Sequence, residues 1–304
     1  MSRPVRITVD VRDVAPPGGE CVVVDVFAPP PGPPPTGLLW WLLPGGGMSR
    51  RYWDLPGHSV ARYLADRGHV AVTVDHLGVG ESSVPDDPYL LTPHLVADVN
   101  AHVLQRLRDG DLPPTRAVVG CGHSAGAGLL VHQQARHGGC DAVALLGYGG
   151  RGMPEVLDPA AAAYADDPDG LRAALPGLVR DRFGTPLPDL DRRHGRDHTA
   201  DDGVKGALAR ASAPLLGLVG LASMVPGSAR DEIAALDVPV LLAHGDRDIG
   251  APLAEVAPEF AHTGDLTLYR LADSGHHSVV SPNHSLLLER LVAWAGSVLA
   301  RGAP

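Results

Sequence analysis

The sequence predicts a single α/β domain, built as a doubly wound and mostly parallel sheet of about eight strands with helices on both faces. Continuous apolar runs of strand length, such as 70–74 and 142–146, are typical of parallel strands buried on both faces. Segments with apolar residues at helical spacing, such as 91–107 and 125–136, alternate with these runs. A length of 304 residues with 44% hydrophobic side chains is enough to bury a full core around such a sheet.

The chain is predicted to begin with an antiparallel hairpin. Val5, Ile7 and Val9 alternate with polar residues, and the apolar run 22–27 follows a Pro-Pro-Gly-Gly turn at 16–19. The parallel part of the sheet is then predicted from the runs 38–43, 70–74, 117–119 and 142–146, with helices between them at 52–66, 91–107 and 125–136. This order is typical of a doubly wound sheet with an antiparallel start.

The regular alternation of strands and helices stops after residue 146. The segment 149–226 is rich in Gly, Pro, Asp and Arg and contains no clear strand pattern, so we expect an inserted, mainly helical segment over about 150–225. Strands are predicted again at 238–243 and 266–271, with a helix between them near 252–260 and a last helix that begins near Pro282. The single domain 1–304 is therefore expected to consist of a core, 1–149 and 226–304, and this insertion.

Charge and composition argue against several kinds of partner. The chain has 25 Lys and Arg against 35 Asp and Glu, and Lys205 is its only lysine, which argues against a nucleic-acid-binding face. The longest apolar stretch, 215–225, is shorter than the roughly 18–20 residues that cross a bilayer, so no membrane segment is predicted. Cys21, Cys121 and Cys140 have irregular spacings that fit neither a disulfide framework nor a zinc knuckle. We therefore expect a cytoplasmic protein with a small-molecule substrate.

The clearest chemical signal is a G-x-S-x-G motif around Ser124. It directly follows the strand predicted at 117–119 and directly precedes a helix, which is the strand–turn–helix context that this motif requires. Such a turn holds the serine in a strained conformation, and Gly122 and Gly126 remove side chains where strand and helix crowd together. The serine hydroxyl then stands above the sheet edge, beside the amides of a helix N-terminus. Ser124 is therefore predicted to be a nucleophile.

A serine nucleophile needs a base, and the base needs a group that orients it. Two carboxylates, Asp246 and Asp248, follow the strand predicted at 238–243. Two imidazoles, His276 and His277, follow the next strand. The chain therefore supplies Ser, then Asp, then His, each after a predicted strand, with two choices for the acid and two for the base.

These motifs and their order resemble the α/β-hydrolase superfamily, and the resemblance covers nearly the whole chain. It implies an acid motif G-x-x-D-x-x-x-P, which Gly245, Asp248 and Pro252 match, so Asp248 is preferred to Asp246, which becomes a turn residue. The base in that family usually follows a glycine, as His276 does here, and His277 is expected to point elsewhere. The resemblance thus implies a catalytic triad of Ser124, His276 and Asp248.

The resemblance also implies an oxyanion hole made by two backbone amides. One amide belongs to Ala125, the residue after the nucleophile. The other lies in the loop 44–47, which is similar to the His-Gly-x loop of the family with Pro44 in the histidine position, so the expected donor is Gly46, with Gly47 as the alternative. The segment 75–82 resembles the family's D-x-x-G-x-G-x-S loop and is expected to have a structural role.

A metal site is a weaker interpretation of the 15 histidines. His194 and His198 have the i, i+4 spacing of helical ligands, but Gly195 lies between them and arginines surround them. In our interpretation no cysteine or carboxylate cluster completes a ligand set with them. We therefore expect neither a metal nor a cofactor.

The insertion occupies the position where the resemblance implies a lid over the active site. Its apolar residues either line an acyl pocket or fasten the lid to the core: Leu215, Leu216, Leu218, Val219, Leu221 and Met224. The function we expect is a serine hydrolase that cleaves a small to medium, largely apolar carboxylic ester, thioester or lactone through an acyl-enzyme. Two other classes stay open, namely a cofactor-free lyase, acyltransferase or cyclase, for which Lys205 would matter, and a binding protein with a vestigial site.

Overall fold

A computed structural model describes residues 3–30, 37–189 and 202–300 of the chain. Its ten strands are β1 (Val5–Asp10), β2 (Cys21–Phe27), β3 (Leu38–Leu43), β4 (Asp54–Leu55), β5 (His58–Ser59), β6 (Val70–Val74), β7 (Ala117–His123), β8 (Ala142–Leu146), β9 (Val240–Gly245) and β10 (Leu266–Leu271). Eight of them form one sheet in the order β1-β2-β6-β3-β7-β8-β9-β10, and β4 pairs with β5 alone. The large sheet is antiparallel at β1 and β2 and parallel from β6 onward. The predicted fold class is confirmed.

Ten α-helices flank or extend this sheet in the described residues. They are α1 (Val60–Ala65), α2 (Pro93–Arg106), α3 (Ala125–His137), α4 (Pro159–Ala162), α5 (Pro168–Phe183), α6 (Asp202–Ala211), α7 (Gly217–Met224), α8 (Arg230–Ala234), α9 (Leu253–Val256) and α10 (His284–Ala300). None of the described helices is long and apolar enough to cross a membrane.

The helix predicted over 52–66 is wrong in its first half. Residues Arg50–Trp53 form a 3₁₀ turn and the ribbon β4–β5 follows, so the α-helix begins only at Val60. The turn of the ribbon contains Pro56 and Gly57, and Gly57 has a φ of 76°, which a helix cannot accommodate. Ser59 then caps α1 by accepting a hydrogen bond from a first-turn amide.

The core lies on both faces of the sheet, which explains the uninterrupted apolar run in β3. Leu39 and Trp41 pack on the face covered by α2 and α3, whereas Trp40 and Leu42 pack on the face covered by α1, α6 and α10. Because side chains alternate along a strand, every residue of β3 must be apolar to fill both layers. Each of the six is at most 2% exposed.

Helices α4 to α7 lie between β8 and β9 and occupy the described parts of the predicted insertion 150–225. Three of them, α4, α5 and α7, share a small apolar core, in which Leu171 and Leu175 of α5 pack against Leu218 and Leu221 of α7. This cluster is separate from the two cores of the sheet. Helices α4, α5 and α7 therefore share a small helical layer that Leu218 and Leu221 help to hold together, whereas α6 covers the sheet itself.

Candidate active site

Ser124 lies between the end of β7 and the start of α3, in a strained backbone conformation. Its φ of 51° and ψ of −125° are unfavourable for a residue with a side chain. A Cβ at Gly122 would lie 2.5 Å from the Cα atom of Ala127, and a Cβ at Gly126 would collide with the carbonyl oxygen of Pro44. Glycine is therefore required on both sides of the serine, as the motif predicts.

His276 and Asp248 form a close pair at the ends of β10 and β9. The Nδ1 atom of His276 lies 2.6 Å from Oδ1 of Asp248, whose side chain is only 6% exposed. The same carboxylate accepts hydrogen bonds from the backbone amides of Gly245 at 3.3 Å and Ile249 at 2.8 Å. Because the carboxylate is fixed in this way, it favours the tautomer with the proton on Nδ1 and leaves Nε2 available as a base.

Ser124 and His276 line one cleft of about 450 Å³ at the carboxyl end of the sheet. The loop 147–152, which follows β8, forms a large part of the same cleft. Within it, Gly147 has a φ of 61°, and a Cβ there would lie 3.1 Å from Nδ1 of His276 and 3.3 Å from Oδ2 of Asp248. This loop was not singled out from the sequence, although four glycines in six residues after a predicted strand are a signal of close backbone approach.

The neighbouring alternatives Asp246 and His277 have other contacts. Asp246 accepts a hydrogen bond from the backbone amide of Ser274 at 2.9 Å, and this bond lowers the pKa of the Asp246 carboxyl below its usual value. His277 is buried, and its Nδ1 lies 3.4 Å from the hydroxyl of Tyr52. Of the two carboxylates, Asp248 contacts His276 and Asp246 stabilises the next turn.

His123 supports the loop that carries His276. Its Nε2 donates a hydrogen bond to the backbone carbonyl of His276 at 2.9 Å, and its ring stacks on Tyr52 with centroids 5.0 Å apart. Burial, with further contributions from His276 and His277, holds the pKa of His123 well below its usual value, so the ring is neutral. Sequence reasoning passed over this residue because it occupies a variable position of the G-x-S-x-G motif.

Two backbone amides close to Ser124 have no acceptor among the hydrogen bonds of the described residues. The amide of Ala125 is the first of α3 and has no acceptor within its helix. The amide of Gly46 also has no acceptor among the described residues, and a Cβ built on Gly46 would lie 3.6 Å from the Cβ of Ala125. The loop of Gly46 is supported by His76, whose Nε2 lies 3.3 Å from the carbonyl oxygen of Pro44.

The sequence matches the model of the Alpha/beta hydrolase family over residues 42–289, which is most of the chain. The chain belongs to this family. A search of the curated proteins finds no significant match. The family match and the fold together make the protein an α/β-hydrolase enzyme.

Solved structures with the same fold share little sequence with this hydrolase. The peroxisomal alpha-beta-hydrolase Lpx1 from Saccharomyces cerevisiae has a TM-score of 0.68 and 14% identity, covering 100% of this chain and 92% of that one. The thioesterase domain from the curacin biosynthetic pathway has a TM-score of 0.64 and 16% identity, covering 96% and 100%. A thermophilic esterase from Thermogutta terrifontis has a TM-score of 0.62 and 17% identity, covering 98% and 99%. At these identities the likeness establishes the fold alone.

A second, apolar pocket of the hydrolase adjoins the loop of Gly46. Leu215, Leu216 and Val219 from the insertion line it together with Leu129 of α3. Leu218 and Leu221 lie in the separate core of the insertion, and Met224 packs against that core. Three of the six apolar residues therefore pack the helical layer, and of the three that line this pocket Leu216 and Val219 also pack in the sheet core.

The loop 75–82 of the hydrolase holds a buried ion pair. The carboxylate of Asp75 contacts the guanidinium of Arg50 and accepts a hydrogen bond from the Arg50 amide at 2.6 Å. Gly80 has no room for a Cβ against this carboxylate, and the Ser82 hydroxyl donates to the backbone carbonyl of Asp75 at 2.7 Å. These contacts fit the structural role that the sequence predicts for the loop.

Lys205 lies on α6, away from the residues that line the cleft of Ser124. Its side chain is half-buried, and α6 packs against the turn Arg50–Trp53 through its apolar face.

The two histidines that the sequence offers as metal ligands, His194 and His198, fall outside the described residues. Elsewhere, however, His94, His132 and Glu232 come together in a group with metal-ligating chemistry that the sequence did not indicate.

Proposed function

We propose that this hydrolase cleaves small to medium, largely apolar carboxylic esters, thioesters or lactones through an acyl-enzyme on Ser124. The observation that supports this most strongly is one cleft lined by a strained serine and by a histidine that is paired with a buried carboxylate. Stored strain at such a position is typical of an active site, because the surrounding structure must hold it against a cost of order 1–3 kcal/mol.

In the proposed mechanism, the hydroxyl oxygen of Ser124 attacks the substrate carbonyl carbon while Nε2 of His276 takes the hydroxyl proton. Asp248 keeps the imidazole in its productive tautomer and stabilises the imidazolium that forms. The negative charge on the carbonyl oxygen is stabilised by the amides of Ala125 and Gly46. His276 then gives the proton to the leaving oxygen or sulfur, and water attacks the acyl-enzyme in the same manner to release the acid.

The acyl chain is proposed to bind in the apolar pocket beside Gly46. Its apolar lining by Leu215, Leu216 and Val219 suits the apolar chain of an acyl group. The cleft beside the loop 147–152 then receives the leaving group. Because helix α7 supplies part of the apolar pocket, we assign the insertion the role of a lid that selects the acyl chain.

Two other functions remain as alternatives with less support. A lyase, acyltransferase or cyclase would use the same cleft, but a lyase that relies on Lys205 is disfavoured because Lys205 lies outside the lining of that cleft. A vestigial binding protein would not need to maintain the strain at Ser124 or the buried carboxylate at Asp248. The cytoplasmic location stays a prediction, and the three unpaired thiols of Cys21, Cys121 and Cys140 fit it.

The test is covalent labelling with a fluorophosphonate, run beside a panel of p-nitrophenyl esters, thioesters and lactones. Ser124→Ala should lose the label and lower kcat by roughly 10⁴-fold or more, leaving the residual rate that the amides provide. Ser223→Ala is a matched control, because Ser223 lines the same cleft but donates its hydroxyl to the carbonyl of Gly220 at 2.8 Å. That variant should keep full labelling.

The outcomes of this experiment distinguish the three functions. Full labelling of Ser124→Ala would overturn the assignment of the nucleophile. Labelling of the unmodified protein at Ser124 without turnover of any panel member would favour acyl transfer or lyase chemistry over hydrolysis. Failure of the unmodified protein to react with the phosphonate would favour the vestigial site.

A further inference from the structure

Three metal-ligating side chains from three different helices converge at one place outside the cleft of Ser124. His94 lies at the start of α2, His132 in the middle of α3 and Glu232 in α8. Their ligand atoms all lie within 4.8 Å of one another. The Nε2 atom of His94 is 2.7 Å and the Nδ1 atom of His132 is 3.1 Å from the same carboxylate oxygen, Oε1 of Glu232.

His132 has a buried nitrogen whose hydrogen-bonding capacity is unused. Its side chain is only 8% exposed. Although Nδ1 lies close to Glu232, the contact lacks the alignment of a hydrogen bond, and Nδ1 has no hydrogen-bond partner among the described residues. Buried polar atoms of this kind are rare because they lose their water without replacement. A cation bound along the ring plane would satisfy this nitrogen.

The donor set and the spacing suit Zn²⁺. Two imidazole nitrogens and one carboxylate oxygen are ligands that zinc prefers. With bonds of about 2.0–2.1 Å in tetrahedral geometry, ligand atoms stand about 3.3 Å apart. The present separations of 2.7 and 3.1 Å from the carboxylate oxygen would therefore need to open slightly, and the two imidazole nitrogens already lie within 4.8 Å of each other.

Access from solvent is available on one side of the group. His94 is 20% exposed and Glu232 is 11% exposed. His94 and His132 line a groove together with Leu171 and Leu175 of the insertion. An ion could reach His94 and His132 through this groove, and water could occupy a fourth coordination position there.

We propose that His94, His132 and Glu232 form a Zn²⁺ site with one coordination position open to water. The ion would connect α2 and α3 of the core to α8, the helix through which the chain returns from the insertion to β9. Its role is then to stabilise the packing of α8 against α2 and α3 at the point where the chain re-enters the core. This inference is independent of the reaction proposed at Ser124.

The test uses the full-length protein, stripped with a chelator and titrated with Zn²⁺ alone. We expect about one bound Zn²⁺ per chain by elemental analysis, and an increase in Tm of about 5 °C when Zn²⁺ is present at about 100 times its Kd. Co²⁺ in place of Zn²⁺ should give the intense visible absorption of a tetrahedral site. Neither measurement depends on enzyme activity.

Variants assign the ligands. His132→Ala and Glu232→Gln should weaken Zn²⁺ binding by more than about 100-fold, since even the loss of a supporting partner outside the ligand set costs 10- to 100-fold. Glu232→Gln retains the shape of the side chain and covers the case in which His132→Ala does not fold, which circular dichroism would reveal. His137→Ala is the matched control, because His137 is on the same helix but pairs with Asp98 at 2.6 Å.

The proposal is overturned by either of two results. One is a stripped protein that takes up no Zn²⁺ and shows no Zn²⁺-dependent change in Tm. The other is equal Zn²⁺ affinity in the unmodified protein and in a folded Glu232→Gln variant. In both cases the three side chains form an ion-paired cluster only.

Discussion

The hydrolase contains two histidine–carboxylate groups that use the same residue types differently. In the first, His276 meets Asp248, and the remaining contacts of the carboxylate are backbone amides. In the second, two imidazoles, from His94 and His132, meet one oxygen of Glu232. In the first group, the nitrogen of the imidazole that does not contact the carboxylate can accept a proton from the nucleophile. In the second group, two imidazole nitrogens and one carboxylate oxygen together can bind a metal ion. If both proposals hold, the number of imidazoles per carboxylate, together with a serine in the same cleft, distinguishes proton transfer from metal binding.

The largest expected effect concerns the first group. Asp248→Asn should lower kcat by roughly 10³- to 10⁴-fold with the fold retained, because an amide in place of the carboxylate favours the wrong tautomer of His276. His276→Ala should cost nearly as much as the loss of Ser124. The measurement is kcat for the best ester of the panel, with circular dichroism to confirm folding.

Asp246→Asn is the matched control for this prediction. Asp246 is only two residues away, but its side chain accepts from the Ser274 amide instead of from a histidine. Its replacement should therefore change kcat only mildly, as should His277→Ala. If folded Asp246→Asn and Asp248→Asn variants lost activity equally, the assignment of Asp248 as the orienting acid would fail.

The same contrast explains which parts of the molecule could be predicted from the sequence. Ser124, its flanking glycines and the order of acid and base lie in short motifs at strand ends, where local backbone geometry dictates residue type. The buried strands were equally clear, because both faces of the sheet require apolar side chains. These features are local, so a few consecutive residues are enough to recognise them.

The features that could not be predicted are those that depend on distant contacts. His94 and Glu232 are 138 positions apart, and only the packing of α2, α3 and α8 brings them together. The support of the His276 loop by His123 likewise spans 153 positions. The division of the apolar residues in the insertion between pocket and packing depends on how α7 lies against α5. Periodicity cannot distinguish those two faces when both are apolar.

A moderate effect is expected at Leu215. It tests whether the substrate binds near Ser124 and His276 and away from the group of His94, His132 and Glu232. Leu215 lines the apolar pocket beside Gly46, and that pocket does not include His94 or His132. Leu215→Asn should raise KM more for longer acyl chains, by up to about fourfold per methylene, since each buried methylene contributes about 0.8 kcal/mol. The measurement is KM across a series of p-nitrophenyl esters of increasing chain length.

Leu178→Asn provides the control for Leu215→Asn. Leu178 is a partly buried leucine of α5 in the same insertion, and it packs against the insertion core. We expect it to lower stability without changing the dependence of KM on chain length. If KM depended on chain length identically in the Leu215 variant and in the unmodified protein, the acyl group would have to bind in another part of the cleft.

The smallest effect is expected at Lys205. This prediction tests whether the lysine amine takes part in the reaction beside the two histidine–carboxylate groups. A lysine amine beside Ser124 would stabilise a departing anion strongly if it were desolvated, which is the requirement of the lyase alternative. Lys205 instead lies on α6 outside the lining of the cleft, so Lys205→Ala should change kcat/KM by no more than about twofold, as for most partly exposed charges. Arg151→Ala is the informative counterpart, because Arg151 lines the cleft and pairs with Glu259 at 2.9 Å, so its removal should alter KM more than the removal of Lys205. A large loss of kcat in Lys205→Ala, together with undetectable ester hydrolysis by the unmodified protein, would replace the hydrolase mechanism with lyase chemistry on the same fold.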